Sequence, residues 1–262
     1  MSLALASYSL WRREQVRFFR QGSRVFGAFV QPLMFWALFG AGLGASFRPA
    51  GAGSASFKEY FFPGTIILVL LFTAIFSTIS VIEDRREGFL QGVLVAPIPR
   101  SALVLGKVLG GTTLAVLQGA ALMVLAPLAG LRVTVVGILE SLVIQVVVAF
   151  ALTALSFCIA WRMESTQGFH AIMTVFLMPL WLLSGAFFPA EGAPGWLAIL
   201  MRINPLTYGV AALRRVLERG APAEAMAGLP SWPTCIAVTL LFAAVTFTAA
   251  SYLTLRRGKD GR

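Results

Sequence analysis

The sequence predicts an all-α integral membrane protein with six transmembrane helices. Of its 262 residues, 58% are hydrophobic and only 12% are charged, whereas soluble domains carry about 25% charged residues. A globule of this size cannot hide so much apolar surface from water, because the fraction of surface buried on folding is limited by chain length. The apolar residues also fall into separate stretches of about 20 residues, the length that crosses a bilayer.

Six such stretches are present. They cover residues 25–45, 61–82, 102–129, 133–161, 169–188 and 232–255. Prolines inside them, as at Pro32, Pro127 and Pro179, are tolerated in transmembrane helices because neighbouring groups satisfy the freed backbone. We therefore treat residues 1–262 as a single transmembrane domain.

Residues 1–24 predict a helix that lies in the membrane surface. On a helical wheel one arc carries the arginines and another carries aromatic side chains. The two sets are Arg12, Arg13, Arg17, Arg20 and Arg24, and Tyr8, Trp11, Phe18, Phe19 and Phe26. In such a helix the cations point toward anionic lipid headgroups. The simpler alternative is a basic tail beside the first span. The lead-in is too long for a cleaved signal peptide, so we expect it to stay attached.

The basic residues predict the orientation. With the N-terminus inside, 14 of the 21 Lys and Arg fall on the cytoplasmic side, in agreement with the positive-inside rule. We therefore expect a multi-pass protein of the cell (inner) membrane with both termini cytoplasmic. This distribution explains the net charge of +10 without nucleic acid, which we do not expect as a partner.

The cytoplasmic loop 83–101, EDRREGFLQGVLVAPIPRS, places five charges directly after the second span. Its apolar residues recur at helical spacing, so we predict a short amphipathic helix that Pro97 and Pro99 end, with Ser101 capping the next span. Such a helix at the inner face favours a protein partner. An ordinary loop that only sets topology is the alternative. The candidate contacts are Glu83, Asp84, Arg85, Arg86, Glu87, Phe89, Leu90 and Leu94.

The outer segment 189–231 is too apolar for a free loop, and Pro189 and the Asn204-Pro205 pair divide it. We expect short helices that dip into the outer leaflet, followed by an interfacial helix over 211–219 whose arginines lie near its C-terminal end. This is the predicted outer hairpin, in which we also include Tyr208.

Polar groups inside the spans are few. Glu140 is the only acid, and Gln118 and Gln145 are the notable uncharged polar residues. An intramembrane ionisable group is a functional-site candidate by default. A place in the transport path and a role in snorkelling or helix packing are both open for Glu140, because it lies close to the outer end of its span.

The sequence lacks the usual catalytic and metal-binding signatures. One histidine, His170, cannot form a multi-histidine metal centre, and Cys158 and Cys235 lie in apolar runs as small hydrophobes do. The phosphate-loop pattern fails around Gly106-Lys107, where Ser101 replaces the first glycine and Val108 follows the lysine. We expect no metal, no cofactor and no ATP site in this chain.

The order of elements and motifs resembles the type 2 ABC exporter permeases, which include permeases for nodulation lipo-oligosaccharides, polysaccharides and drugs. The resemblance covers nearly the whole chain. After the N-terminal helix its motifs are Tyr60-Phe61-Phe62-Pro63-Gly64, the inner loop with Leu105-Gly106-Lys107, Ser184-Gly185-Ala186-Phe187-Phe188-Pro189, and Asn204-Pro205-Leu206-Thr207-Tyr208. Many members have Gly-Thr-x-Glu in the inner loop, where this chain reads Gly88-Phe89-Leu90-Gln91.

The resemblance implies a membrane subunit that exports a lipid-linked, oligosaccharide or amphipathic drug-like cargo. It implies a homodimer or a pair with a similar chain, and a separate cytoplasmic ATPase that binds ATP and Mg. In this family the inner loop forms a coupling helix on the ATPase, and the segment after the fifth span is a re-entrant hairpin. The alternatives are an intramembrane lipid-modifying enzyme and a carrier that needs no motor.

Overall fold

The computed structural model describes residues 3–43, 56–190, 193–219 and 228–256, and every regular element in these ranges is a helix. The helices are α1 (Leu3–Arg20), α2 (Gly22–Gly42), α3 (Phe57–Arg86), α4 (Phe89–Val95), α5 (Arg100–Met123), α6 (Val135–Ala160), α7 (Thr166–Trp181), α8 (Gly195–Ile203), α9 (Pro205–Leu217) and α10 (Trp232–Arg256). A 3₁₀ turn, Ala126–Ala129, follows α5, and a π turn, Leu182–Ala186, follows α7.

Six helices are long and apolar enough to cross a membrane: α2, α3, α5, α6, α7 with its π turn, and α10. The prediction of an all-α protein with six spans is therefore confirmed. The end of the first predicted span, at residue 45, lies outside the described residues.

Helix α3 is the central element of the bundle. It packs against α2, α5, α6 and α7, and 89% of its most apolar window is buried. It is therefore enclosed on all sides by its own subunit. Helix α1 lies against α5, α6 packs on α10, and α9 packs between α6, α10 and the π turn.

Small residues set the closest helix contacts. A side chain at Gly106 would clash with Leu10, and one at Gly110 would clash with Glu14, so these two glycines let α1 lie directly on α5. The sequence pattern of small residues predicted such close contact.

Two predicted spans are broken near their C-terminal ends. After α5 the chain turns at Gly130, whose φ of 93° is left-handed, and Pro127 lies in the short 3₁₀ turn rather than in a continuous helix. After α7 the π turn contains Gly185 at φ 76°. The carbonyl groups around this second break are satisfied by side chains: Tyr60 donates to Gly185 O at 3.0 Å, and Asn204 Nδ2 donates to Leu180 O at 2.5 Å.

Several of the helices begin with a side-chain cap. Ser56, Thr134 and Ser165 accept hydrogen bonds from backbone amides in the first turns of α3, α6 and α7. The predicted cap at Ser101 is wrong. Helix α5 begins at Arg100, so Ser101 lies inside its first turn. Pro99 precedes the helix and provides no side-chain cap.

The contact between α3 and the π turn predicts a sensitive position at Gly64. Its carbonyl accepts from Trp181 Nε1 at 2.8 Å, and an added Cβ would lie 2.5 Å from Ala186 Cβ. We expect Gly64→Ala to destabilise the protein by about 1–3 kcal/mol through overpacking, measured as a lower thermal midpoint in detergent. Gly22→Ala is the control, since no atom lies within 4 Å of its added Cβ. Equal midpoints for the two variants would contradict the packing described here.

Candidate functional site

A group of buried charges lies where α1, α3 and α5 meet. Lys107 of α5 donates to Glu14 Oε1 at 2.6 Å, to Ser80 Oγ at 3.1 Å and to Asp84 Oδ2. The side chains of Lys107, Glu14 and Asp84 are 3%, 5% and 0% exposed. We call Glu14, Ser80, Asp84 and Lys107 the end cluster, because α3 ends there.

Arginines from the N-terminal helices complete the charge balance. Arg13 binds both carboxylate oxygens of Asp84, at 2.9 and 2.6 Å, and Arg17 binds Oδ1 at 2.5 Å. Arg17 and Arg24 also donate to Glu83. Burial disfavours the charged form of Arg13, but the hydrogen bond and charge of Asp84 outweigh burial and raise the pKa of Arg13 above its ordinary value.

The arrangement ties three helices together for an electrostatic reason. A buried charge without a partner is strongly unfavourable, so each of these groups requires the others. Helix α1 therefore cannot leave the bundle without separating Glu14 from Lys107, and Arg13 and Arg17 from Asp84. The wheel of α1 predicted its arginines facing lipid headgroups, and for Arg13 and Arg17 this is wrong, because Glu83 and Asp84 of α3 offer carboxylates within reach.

Beyond the end cluster the chain turns sharply into α4. Gly88 adopts φ 77°, a left-handed conformation that glycine accommodates without strain. Leu90 is buried at 3% exposure, and the guanidinium carbon of Arg13 lies 3.7 Å from the centroid of the Phe89 ring. One face of α4 is thus fixed to the bundle.

The opposite face of α4 is open. Gln91 and Gly92 are exposed, and Val95 is 85% exposed. Together with Arg86 and Glu87, which are also exposed, these residues form a surface that we call the α4 face. It combines an apolar side chain with charges of both signs.

The structure divides the predicted contacts of residues 83–94 into two groups. Asp84, Glu83 and Leu90 are engaged inside the subunit, as is Arg85, which donates to the carbonyls of Met163 and Trp161. Arg86 and Glu87 are accessible, and Phe89 is half-buried. Leu94 lies within α4, but its side chain is outside the described part of the structure.

The three polar candidates of the spans each have at least one partner inside the subunit, although Gln118 Nε2 and Gln145 Oε1 are buried without a hydrogen bond to any described residue. Gln118 Oε1 accepts from Thr73 at 3.0 Å, and Gln145 Nε2 donates to Ser141 at 3.1 Å. Glu140 forms an ion pair with Arg219 at 2.5 Å near the N-terminal end of α6, where both side chains are partly exposed. The surroundings of Glu140 thus fit the helix-packing interpretation.

The other end of the bundle is built around α8 and α9, which meet at 83°. Asn204 caps α9 by accepting from Leu206 N at 3.0 Å, with Pro205 in its first turn, and Tyr208 donates to Arg202 O at 2.8 Å. Pro189 lines a cavity of about 540 Å³ beside this pair of helices.

Arg214 is buried at this end and not at a surface. It donates to Tyr60 O at 3.1 Å and Gly185 O at 3.3 Å, and its guanidinium lies 3.9 Å from the Tyr60 ring centroid. Helix α9 begins at Pro205, before the predicted start of the interfacial helix at residue 211, and it buries Arg214 near its C-terminal end. The broken π turn leaves carbonyls that this side chain satisfies. Burial raises the pKa of the neighbouring Glu218 to about 7, although the charge of Arg214 opposes the rise.

The fold and these sites define a multi-pass helical membrane protein with a buried ionic junction at one end and a small helix presented beside it. Residues 6–217 match the family model of ABC-2 type transporters. The chain belongs to this family of ABC transporter permeases, as the motif resemblance predicted.

Named relatives agree with the family. The chain is 24% identical to nodulation protein J of Rhizobium leguminosarum bv. trifolii, over 80% of each chain. It is 20% identical to the daunorubicin resistance ABC transporter permease protein DrrB1 of Streptomyces coeruleorubidus, over 72% of this chain and 66% of that one. It is 26% identical to a candidate transport permease, ycf38, of Cyanophora paradoxa, over 79% of this chain and 72% of that one.

The end cluster predicts that Lys107 is required for folding. We expect Lys107→Met to cost about 3–5 kcal/mol, because it removes the cation at 2.6 Å from the buried Glu14 carboxylate and leaves Arg13, at 3.6 Å, as the nearest positive charge. The measurement is the thermal midpoint of the purified protein. Lys58→Met, at an exposed lysine, should change stability by less than about 0.5 kcal/mol.

A second variant separates charge pairing from packing. In Glu14→Met/Lys107→Met both unpaired charges are gone, and Asp84 retains its two arginines, so most of the lost stability should return. A double variant as unstable as Lys107→Met would show that the ion pair is not the reason for the loss.

Proposed function

We propose that the chain is the membrane-spanning subunit of an ATP-driven exporter whose energy comes from a separate cytoplasmic ATPase. The observation that carries this proposal is the exposed α4 face on a helix fixed to the bundle by Leu90 and Arg13. A force applied to this face is transmitted to α3 through the turn at Gly88 and to α1 through the end cluster. ATP and Mg would bind to the ATPase, and we assign no ATP, Mg or metal site to this chain.

The proposed orientation places α1 and α4 in the cytoplasm with both chain termini, and α8 and α9 at the outer side of the inner membrane. The two-to-one excess of Lys and Arg on the α1 side supports this placement. The 83° bend between α8 and α9 is compatible with a re-entrant hairpin that does not cross the bilayer.

The α4 face is the proposed contact with the ATPase. Arg86 and Glu87 supply polar contacts, and Val95 supplies an apolar one. Gln91 occupies the position at which many family members carry Glu, and it is exposed. Leu90 and Asp84 act indirectly, because they hold α4 and α1 in place and do not reach the surface.

Two copies of the chain, or this chain with a similar one, would enclose the path. The first, second and fifth spans, which are α2, α3 and α7, are the candidates to line it. The burial of α3 at 89%, against 22% for α2 and 39% for α7, favours α2 and α7 of these three as the surfaces open to a second copy, and α10 is as open as α2 at 22%. On α2 an apolar groove of about 400 Å³ with Gln31 among its lining residues is available. The ATPase would switch the access of this path by rigid-body motion.

The proposed cargo is amphipathic or lipid-linked. One relative is named for resistance to the drug daunorubicin and others for nodulation, and the open faces of α2 and α7 are largely apolar. Substrate-stimulated ATP hydrolysis in proteoliposomes with the partner ATPase would identify the cargo class.

Charge and bulk on the α4 face should uncouple the motor. We expect Val95→Asp and Glu87→Lys to weaken association with the proposed partner ATPase at least tenfold, because both side chains project from the subunit. The measurement is co-purification together with ATP-driven transport in proteoliposomes. Glu164→Lys, at an exposed acid between α6 and α7, is the matched charge reversal and should leave both unchanged. Normal association and transport in both α4-face variants would refute the coupling assignment.

The proposed orientation can be tested by cysteine labelling in a variant without Cys158 and Cys235. A cysteine in place of Arg202 should react with a membrane-impermeant maleimide in intact cells, and one in place of Glu164 only after the membrane is opened. Both native side chains are exposed. The reverse pattern would mean that the protein is inserted the other way.

A further inference from the structure

A basic cleft lies along α1 beside the turn into α4. It measures about 630 Å³ and is lined by Arg12, Arg13, Arg17 and Arg20 of α1 and by Glu87. Arg13 and Arg17 are held by the carboxylates of α3, as described above. Arg12 and Arg20 are exposed and have no hydrogen bond or ion pair to any described residue. Glu87 is the one acidic side chain among the described lining residues, and Arg17 contacts it at 3.4 Å.

The contacts of α1 show which of its sides faces the middle of the bundle. Trp11 Nε1 donates to Thr113 Oγ1 at 3.0 Å, and Gln15 Nε2 donates to Gly110 O at 2.9 Å. These partners lie at least ten residues into α5, or about 15 Å along its axis. Arg13 and Arg17, on another side of α1, point to the end of α3. The membrane interior is therefore on the Trp11 side of this helix.

Residue types change in order across the exposed face of α1. Nearest the Trp11 side are Tyr8, which stacks on Trp11 with ring centroids 5.6 Å apart, and Phe19, which is 60% exposed. Arg12 and Val16 follow around the helix, and Arg20 lies next to Arg13 on the side of the bundle end. The aromatic groups thus lie at the depth of the acyl chains, and the guanidinium groups of Arg12 and Arg20, which have no partner among the described residues, lie nearer the depth of the headgroups.

We propose that this cleft binds the phosphate headgroup of an anionic phospholipid, with Arg12 and Arg20 as its ligands and Tyr8 and Phe19 against the acyl chains. Charge complementarity supports an anion, because two unpaired cations face the cleft. Apolar side chains border the cleft on one side only. This asymmetry supports a lipid as the ligand, because neither a soluble anion nor an acidic protein surface would cover Phe19. Arginine suits a phosphate because its planar guanidinium group donates two parallel hydrogen bonds.

The test is binding of fluorescently labelled phosphatidylglycerol and phosphatidylcholine to the purified full-length protein in non-ionic detergent micelles. We expect phosphatidylglycerol to bind more tightly than phosphatidylcholine. Arg12→Gln/Arg20→Gln should weaken phosphatidylglycerol binding by roughly thirtyfold, about fivefold for each cation, and leave phosphatidylcholine binding unchanged. Arg132→Gln/Arg202→Gln removes the same charge from exposed positions near the other end of the bundle and should have no effect.

Four results would overturn the proposal. They are unchanged phosphatidylglycerol binding in Arg12→Gln/Arg20→Gln, equal affinity of the wild-type protein for the two lipids, and binding of glycerol phosphate as tight as that of the lipid. The fourth is a loss of ATPase association in that variant with lipid binding intact, which would assign the cleft to the motor. Because both arginines are exposed, the phosphatidylcholine measurement also reports whether the variant remains folded.

Discussion

The buried ammonium of Lys107, held between the carboxylates of Glu14 and Asp84, is the interaction on which the α1 end of this protein depends. Charges removed from water are tolerated only when they are paired and hydrogen-bonded. The three charges come from α5, α1 and α3, so pairing them requires the three helices to meet at one point. The glycines of α5 at 106 and 110 make this meeting possible, because they allow α1 to approach to contact distance.

The end cluster provides a physical route by which a force applied to the α4 face could be transmitted to the helices of the bundle. Helix α4 is fixed to it through Leu90 and through Phe89 under Arg13, and Gly88 is the only residue between α3 and α4 with a left-handed backbone. Because the salt bridges have specific partners, α1, α4 and the adjoining ends of α3 and α5 are expected to move as one body. At the other end, Arg214 has a comparable structural role at the broken π turn, where it satisfies backbone carbonyls.

The sequence allowed the six spans and the family to be predicted, because hydrophobic length and motif order depend on local residues. It did not reveal the break at Gly185, because the side chains that donate to the carbonyl of this residue, Tyr60 and Arg214, lie far away in the chain. Nor did it reveal the end cluster. The signals were present: Lys107 lies inside a predicted span, where an unpaired charge is costly, and Glu14 is the only acid in α1. Their pairing could not be predicted, because it depends on how α1 folds back onto α5.

The most direct test of the account is a spin-label distance measurement in the protein reconstituted with the proposed partner ATPase. Labels replace the exposed Ser9 of α1 and Gln91 of α4, and labelled chains are diluted with unlabelled ones so that only distances within a subunit are seen. Within one subunit we expect the same Ser9–Gln91 distance without nucleotide and with trapped ATP. In a separate sample, in which both copies carry a label at Gln91, we expect the distance between the two labels to change. A nucleotide-dependent change within the subunit would contradict the claim that the end cluster joins these elements into one moving unit.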